Sequence, residues 1–415
     1  AITIRSLNPE NPDVVAQTVI DCEDIWDFWA TEARRAFIFR NVGRDTILAG
    51  FTIRNATAID DQHFYDDSYY WVGYTLDGQL LYARGVDGQN AYGGAIYIGQ
   101  KIAAPVDYRD EFSYVYPDYI GVFPASPTIR GCTFINCSAL GQDGSHGLNA
   151  RGVNNDQPGL PGARGGYGGN AYGGAVYAVT GSSPLIQNCQ FSRCYAVGGQ
   201  AGNGSNGSNG GGHSDGVEAA NGYRGGDGGD AGKGGCAWGG AIYFEDGCRP
   251  ELIDVSIRNC YVQVGEAGRG GNGGNGSDAK SQGDGGYGGN GGMGGDLRAP
   301  DSSGGAIYFG VNTEAVIEGC IFDNCRVIVE LHGDYSGGDG GDGGNAQGDG
   351  TDGGNGGHGG PAFFIPDKLY ELGIVRDETG TIITDGVRAN GGTGGDGGNG
   401  SNGGNRGSGG YGGYR

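Results

Sequence analysis

A five-residue phrase occurs four times along this chain: Gly93-Gly-Ala-Ile-Tyr97, Gly173-Gly-Ala-Val-Tyr177, Gly239-Gly-Ala-Ile-Tyr243 and Gly304-Gly-Ala-Ile-Tyr308. A second phrase follows each copy: Cys132-Thr-Phe-Ile-Asn-Cys137, Cys189-Gln-Phe-Ser-Arg-Cys194, Val255-Ser-Ile-Arg-Asn-Cys260 and Cys320-Ile-Phe-Asp-Asn-Cys325. Degenerate copies stand at Gly50-Phe-Thr-Ile-Arg-Asn55 and from Gly359 through Ala362-Phe-Phe-Ile365 to Ile382-Ile383. Units repeated in fixed order are stacked units, each too small to bury an apolar face alone.

Within a repeat the apolar stretches are very short, as in Val176-Tyr-Ala178, Leu185-Ile186, Cys189-Gln-Phe191 and Tyr195-Ala-Val197. Strands of this length gain a core only if the chain winds and each coil lies on the last, at about 25 residues per coil. Side chains alternate across a strand. This alternation places Ile96, Val176, Ile242 and Ile307 inward, joined by Phe134, Phe191, Ile257 and Phe322. Tyr97, Tyr177, Tyr243 and Tyr308 then point outward as a ladder.

Between the repeats lie glycine-rich excursions that leave after the cysteine phrase and return at Gly-Gly-Ala. Glycine supplies 96 of 415 residues, but proline only 13, which excludes collagen. The return limb Gly285–Gly295 is a strict Gly-Gly-X triplet, as are Gly337–Gly344 and Gly353–Gly360. A flexible linker needs no phase. An extended helix with three residues per turn does, because it places every third residue on one edge. Glycine on two edges lets neighbouring rods approach and bond through their backbones, leaving the third residue to face solvent. The expected architecture is therefore all-β: a parallel β-helix solenoid whose glycine-rich hairpin inserts form a polyglycine-II rod bundle on one side. Coils span residues 1–390, with inserts at about 140–170, 198–235, 265–303 and 332–360, and 391–415 is a tail joining the bundle.

The run Ala1 to Pro12, Thr18-Val-Ile-Asp-Cys22, Gly50–Asn55 and the phrases Pro127 to Phe134 and Pro184 to Phe191 resemble exported right-handed parallel β-helix repeat proteins of planctomycete-type bacteria. The resemblance covers roughly the coil half of the chain and implies a secreted or surface protein. The triplets are similar instead to the polyglycine-II bundles of springtail antifreeze proteins and of a phage tail-tip adhesin, in architecture alone.

Charge narrows the partners. Basic residues number 26 and acidic residues 48, a net charge of −22. Such a surface repels nucleic acid and anionic lipid, and no apolar run approaches the length of a membrane span. The chain opens at Ala1 without a leader, which fits a processed exported protein or a fragment.

Ten cysteines read as stacked thiols or as disulfides along the stack, since coil spacing falls within a disulfide's Cα range. Cys236 and Cys248, which bracket one strand, form the best single bridge. Zinc is disfavoured because His63, His146, His213, His332 and His358 are scattered. Calcium on surface carboxylates is the one cofactor the composition admits, although Asp339 and Asp342 lack the apolar neighbour of a calcium-roll repeat. Gly229-Asp-Ala-Gly-Lys233 lacks the residues of a phosphate loop. Asn-x-Ser/Thr acceptors such as Asn203-Gly-Ser205 arise by chance in such a composition.

Catalysis by paired carboxylates has only Asp60, Asp61, Asp66 and Asp67 to draw on, and aspartate neighbours are common here, so an enzyme is not expected. Tyr69, Tyr70, Trp71, Tyr74, Tyr116 and Tyr119 form an aromatic surface suited to sugar stacking, to a protein interface, or to covering one flank of the coils. The ends of the stack carry the functional expectation. Ile2 and Ile4 at one end, and Ile382 and Ile383 at the other, are strand-like and lack a capping helix. Two complementary open edges on one molecule make a heterologous contact that propagates. The expected function is a secreted, non-enzymatic protein stacking head to tail into a filament, sheathed by the rods. The alternative is a cell-surface adhesin or glycan binder partnered by extracellular polysaccharide, with ice binding a distant third.

Overall fold

The computed structural model describes residues 2–22, 34–58, 70–74, 80–85, 87–103, 119–148, 150, 152–214, 220–281, 283–295, 302–328 and 338–346, with the isolated positions 352, 355, 358, 396 and 399. These residues form an all-β structure dominated by parallel sheets. The first sheet has six strands in the order Thr3–Arg5, Ile47–Ala49, Thr128–Arg130, Leu185–Gln187, Glu251–Ile253 and Val316–Glu318. A second has Val19–Asp21, Thr52–Arg54, Thr133–Ile135, Gln190–Ser192, Ser256–Arg258 and Ile321–Asp323. The third runs from Thr57–Ala58 through Ser138–Leu140, Tyr195–Val197 and Tyr261–Gln263 to Arg326–Ile328. The fourth runs from Phe37–Phe39 through Ile96–Ile98, Val176–Ala178 and Ile242–Phe244 to Ile307–Phe309. Each of the four middle repeats thus contributes one strand to each sheet.

The strands are three residues long because left-handed corners cut them. Gly50, Gly131, Asn188, Asp254 and Gly319, all with positive φ, separate the first-sheet strands from the second. Asn55, Asn136, Arg193, Asn259 and Asn324 do the same between the second and third. Asparagine, aspartate and glycine tolerate this region best. The asparagine of the cysteine phrase is therefore conformational. So is the first glycine of Gly-Gly-Ala: Gly93 has φ +55°, and a Cβ there would lie 2.4 Å from the Ile96 carbonyl oxygen.

In-register pairing builds columns of like side chains. Leu48, Ile129, Ile186 and Leu252 stack in the first sheet, and Ile53, Phe134, Phe191 and Ile257 in the second, all fully buried. Phe134 and Phe191 stack at 4.6 Å and 5°. Ile96, Val176 and Ile242 face them, so the inward set expected from alternation is buried together. Ile307 and Phe322 belong to the same columns but lie in the last described repeat, where nothing further among the described residues covers them. A second, alanine-rich cluster (Ala58, Ala139, Ala196 and Val262 against Ala91, Ala171 and Ala237) joins the third sheet to three two-residue strands, Ala91–Tyr92, Ala171–Tyr172 and Ala237–Trp238. Small side chains let the glycine-rich limbs begin and end close against the coils.

One short helix, Pro12–Gln17, interrupts the first repeat, with Asn11 Oδ1 accepting the Asp13 N–H at 2.9 Å. Among the described residues no helix is long and apolar enough to cross a membrane. Two antiparallel hairpins, Tyr70–Tyr74 with Leu80–Gly85 and Gln100–Ala103 with Tyr119–Phe123, complete the set.

Phe191→Ala should lower stability by about 3–5 kcal/mol, the usual cost of emptying a packed aromatic site. Phe322→Ala, at a position 48% exposed, should cost much less. Urea midpoints of the two variants check the difference.

Candidate functional site

The glycine-rich limbs are ordered by a hydrogen-bond rule that repeats every third residue. In the outgoing limb 198–211, the N–H groups of Gly198, Ala201, Gly204, Gly207 and Gly210 donate to carbonyls of the next outgoing limb, from Gln263 to Asn275. Those of Gly199, Gly202, Ser205, Ser208 and Gly211 donate to the return limb behind, at Gly169, Gly166, Ala163, Leu160 and Gln157. The following return limb donates back: Gly226, Gly229, Gly232 and Gly235 reach the carbonyls of Ser208, Ser205, Gly202 and Gly199. Outgoing limbs therefore form one layer and return limbs another, bonded across their common face.

In many triplets the third N–H finds a side-chain acceptor on the neighbouring limb. Asn203 Oδ1 accepts from Arg269 N at 2.8 Å, and Asn206 Oδ1 from Asn272 N at 2.9 Å. The chain of bonds continues, Asn272 accepting from Asp339 N and Asn275 from Asp342 N, both at 2.9 Å. In the return layer Asn221, Asp227 and Asp230 hold Asp284, Asn290 and Met293 in the same way, at 2.7–2.9 Å. The third residue of the triplet was expected to do no more than face solvent. It lies on the outer face, yet its side-chain oxygen also fastens the neighbouring limb, which is why amides and carboxylates recur there.

Glycine on the inner positions is a steric requirement. A Cβ at Gly229 would lie 2.1 Å from the Ala163 carbonyl oxygen, and one at Gly271 1.9 Å from that of Ser205. Backbone cannot retreat from such contacts while keeping its bonds.

Between limbs and coils runs an aromatic seam. Tyr92, Tyr172 and Trp238 stack at 5.0 and 4.9 Å. Tyr92 and Tyr172 pack on Tyr177 and Tyr243, which stack on one another at 5.5 Å. The tyrosine ladder does leave the coil core, but it is not an open surface, and Tyr177 is fully buried. Burial and the nearby Glu245 push the Tyr177 phenol well above its ordinary pKa. Tyr177 and Lys101 both donate to Glu245 Oε1, and Thr180 donates to Oε2 through N–H and hydroxyl at 3.0 Å. This cluster is internally satisfied and fastens the Gln100–Phe123 hairpin to the repeat carrying Glu245.

The two poles of the sheets differ from the middle. At the first, Ile2 and Ile4 are 63% and 43% exposed. At the far side of the described repeats Ile317 is 46% exposed, in the same column as Ile4. Ile382, Ile383, Tyr69 and Tyr116, with the carboxylates Asp60, Asp61, Asp66 and Asp67, lie outside the described residues. Tyr70, Trp71, Tyr74 and Tyr119 have their backbones in the two antiparallel hairpins.

Cys236 and Cys248 are not joined, and neither is in a disulfide. Cys248 turns into the coil core, its Sγ 3.2 Å from the Val179 carbonyl oxygen, and burial pushes its thiol up to about 12. Cys236 stays at the limb neck, its N–H held by Asn170 Oδ1. Among the described residues no three His, Cys, Asp or Glu side chains are placed to hold a metal ion. At the limb tips His213 is buried with both ring nitrogens unbonded, 3.8 Å from Asp156, while Ser214 donates to Asp156 through hydroxyl and N–H. An open groove of about 360 Å³ on the outgoing layer is lined by His146, Gln200, Asn203, Glu266 and Arg269 among others.

Compared with known protein families, curated proteins and solved structures, the chain has no match.

Two outcomes follow. Asn275→Ala should cost about 1 kcal/mol by removing one acceptor. Gly271→Ala should cost more, because its Cβ has no space; thermal denaturation of both variants ranks them. At the tip, the Ser214 hydroxyl and N–H hold the Asp156 carboxyl below its ordinary value. Its contribution is then present above the usual carboxylate range and is lost as pH falls through the lowered value. An NMR titration of Asp156 should have its midpoint below that of aspartate in an unstructured glycine-rich peptide.

Proposed function

We propose that this is a non-enzymatic, extracellular structural protein whose subunits stack head to tail into a filament. In this reading the parallel sheets are a β-helix solenoid, and the limbs are polyglycine-II rods that sheathe it. One observation carries the proposal. The column of Leu48, Ile129, Ile186 and Leu252 is fully buried, yet it is continued at one pole by Ile4 and at the other by Ile317, each nearly half exposed. The two poles are different surfaces that repeat the same geometry, so contact between them is heterologous and leads to an open polymer. The contact surface on the far side comprises Val316, Ile317, Ile321 and Phe322, the exposed apolar residues of the last described repeat. The acidic excess keeps such a fibre solvated and limits lateral association.

A second reading is a surface adhesin that binds polysaccharide. The groove beside His146, Asn203 and Arg269 favours it, because amides and charged groups there open onto a flat face.

Electron microscopy of the purified chain at low concentration tests the first reading. Fibres with an axial repeat of one subunit are expected, and Ile4→Asp should reduce them to single particles. Uniform single particles from the unmutated chain, with binding to immobilised glycans, would overturn the fibre and favour the adhesin.

A further inference from the structure

Within the coil core the cysteines stand in two columns. Cys137, Cys194, Cys260 and Cys325 occupy one position in four successive repeats, each just before a strand of the third sheet. Cys132 and Cys189 occupy another, where the next repeat has Val255 before Cys320 returns. All are free thiols, and those from Cys132 to Cys260 are buried. Sulfurs in both columns lie against carbonyls of the preceding repeat: Cys189 Sγ is 3.6 Å from the Ile129 carbonyl oxygen, Cys194 Sγ 3.8 Å from that of Phe134, and Cys325 Sγ 3.6 Å from that of Ile257. The strand register sets neighbouring thiols of a column one repeat apart, Cys132 beside Cys189, Cys137 beside Cys194, Cys194 beside Cys260, and Cys260 beside Cys325.

In-register parallel strands are about 4.8 Å apart, inside the Cα separation that a disulfide accepts; their Cα–Cβ bonds point the same way and leave the Cβ atoms at about that spacing, so closure draws the two Cβ atoms together to about 4 Å. We propose that these columns are inter-repeat disulfide sites, closing as Cys132–Cys189, Cys137–Cys194 and Cys260–Cys325 when the chain folds with a low-molecular-weight disulfide present. A column of four closes fully only in its outer pairs, because a central Cys194–Cys260 bond strands a thiol at each side. Val255 interrupts the other column and leaves Cys320 without a thiol in the adjacent repeat. Cys22, Cys236, Cys248 and Cys320 therefore stay reduced.

Each closure balances. One protein thiolate attacks the small disulfide and expels one small thiolate; the second protein thiolate then displaces the other from the mixed disulfide. The protein sulfurs lose two electrons to the small disulfide, and their two protons pass to the two small thiols released. Burial raises the Cys189 and Cys194 pKa values, so thiols in the stacked core exchange slowly and the bonds form while repeats are stacking.

The test refolds the full reduced chain in a mixture of reduced and oxidised glutathione, blocks remaining thiols by alkylation, and maps peptides without reduction. Three linked pairs and four alkylated cysteines are expected, with a thermal midpoint that falls by roughly 10 °C on reduction. In Cys325→Ser, at the half-exposed end of the column, Cys260 should become alkylated while the other two bridges persist. Ten alkylated cysteines, a Cys194–Cys260 or Cys236–Cys248 link, or any other pairing in the refolded protein overturns the proposal.

Discussion

A Gly-Gly-X triplet carries three backbone N–H groups, and in the limbs these point to three different partners. Glycine loses more conformational entropy on ordering than any other residue, so the limbs hold one shape only if nearly all those donors find partners. Two of the three reach carbonyls of adjacent limbs, as Gly204 and Gly202 do with Arg269 and Gly166. The third reaches a side-chain oxygen, as Arg269 N does with Asn203. The absence of Cβ atoms on the inner edges lets backbones come close enough for the first two. The presence of an amide or carboxylate on the outer edge supplies the third.

That arrangement depends in turn on the coils. An outgoing limb continues directly from a third-sheet strand: the Gly141 N–H bonds the Val197 carbonyl, extending the ladder of Ser138–Leu140 on Tyr195–Val197 into the glycine-rich segment. Limbs therefore begin at the spacing of parallel strands, about 4.8 Å, which also suits close backbone packing. The alanine cluster at the neck and the rings of Tyr92, Tyr172 and Trp238 fix where each return limb rejoins its coil. Apolar core and limb layers share one rhythm of one step per repeat.

Much of this was legible in the residues. Two phrases repeated in constant order define the registers, so Phe134, Phe191 and Ile257 meet as alternation requires. Strict triplets match the three-residue period at which the limb N–H groups change partner. The amide ladder left a fainter trace, since Asn203, Asn206 and Asn209 precede Arg269, Asn272 and Asn275 by a constant 66 residues. Such an offset shows only once the limbs are known to lie side by side. The burial of Tyr177 was hidden because its cover, Tyr92 and Tyr172, stands just before the repeated phrase rather than within it. The helix Pro12–Gln17 carries a local signal in Asn11 and Pro12, but six residues are too few for periodicity to register. Cys236 and Cys248 are near in sequence, yet one turns into the core and the other stays at the neck, a difference of direction that spacing alone does not encode.

The central claim is that the glycine-rich limbs are a hydrogen-bonded solid rather than loose linkers. Amide hydrogen exchange on the native chain tests it directly. The N–H groups of Gly202, Gly229 and Gly271, deep between the layers, should exchange as slowly as those of core strands such as Thr133–Ile135. Exchange of these glycines at the rate of an unstructured peptide, while the core strands remain protected, would contradict it.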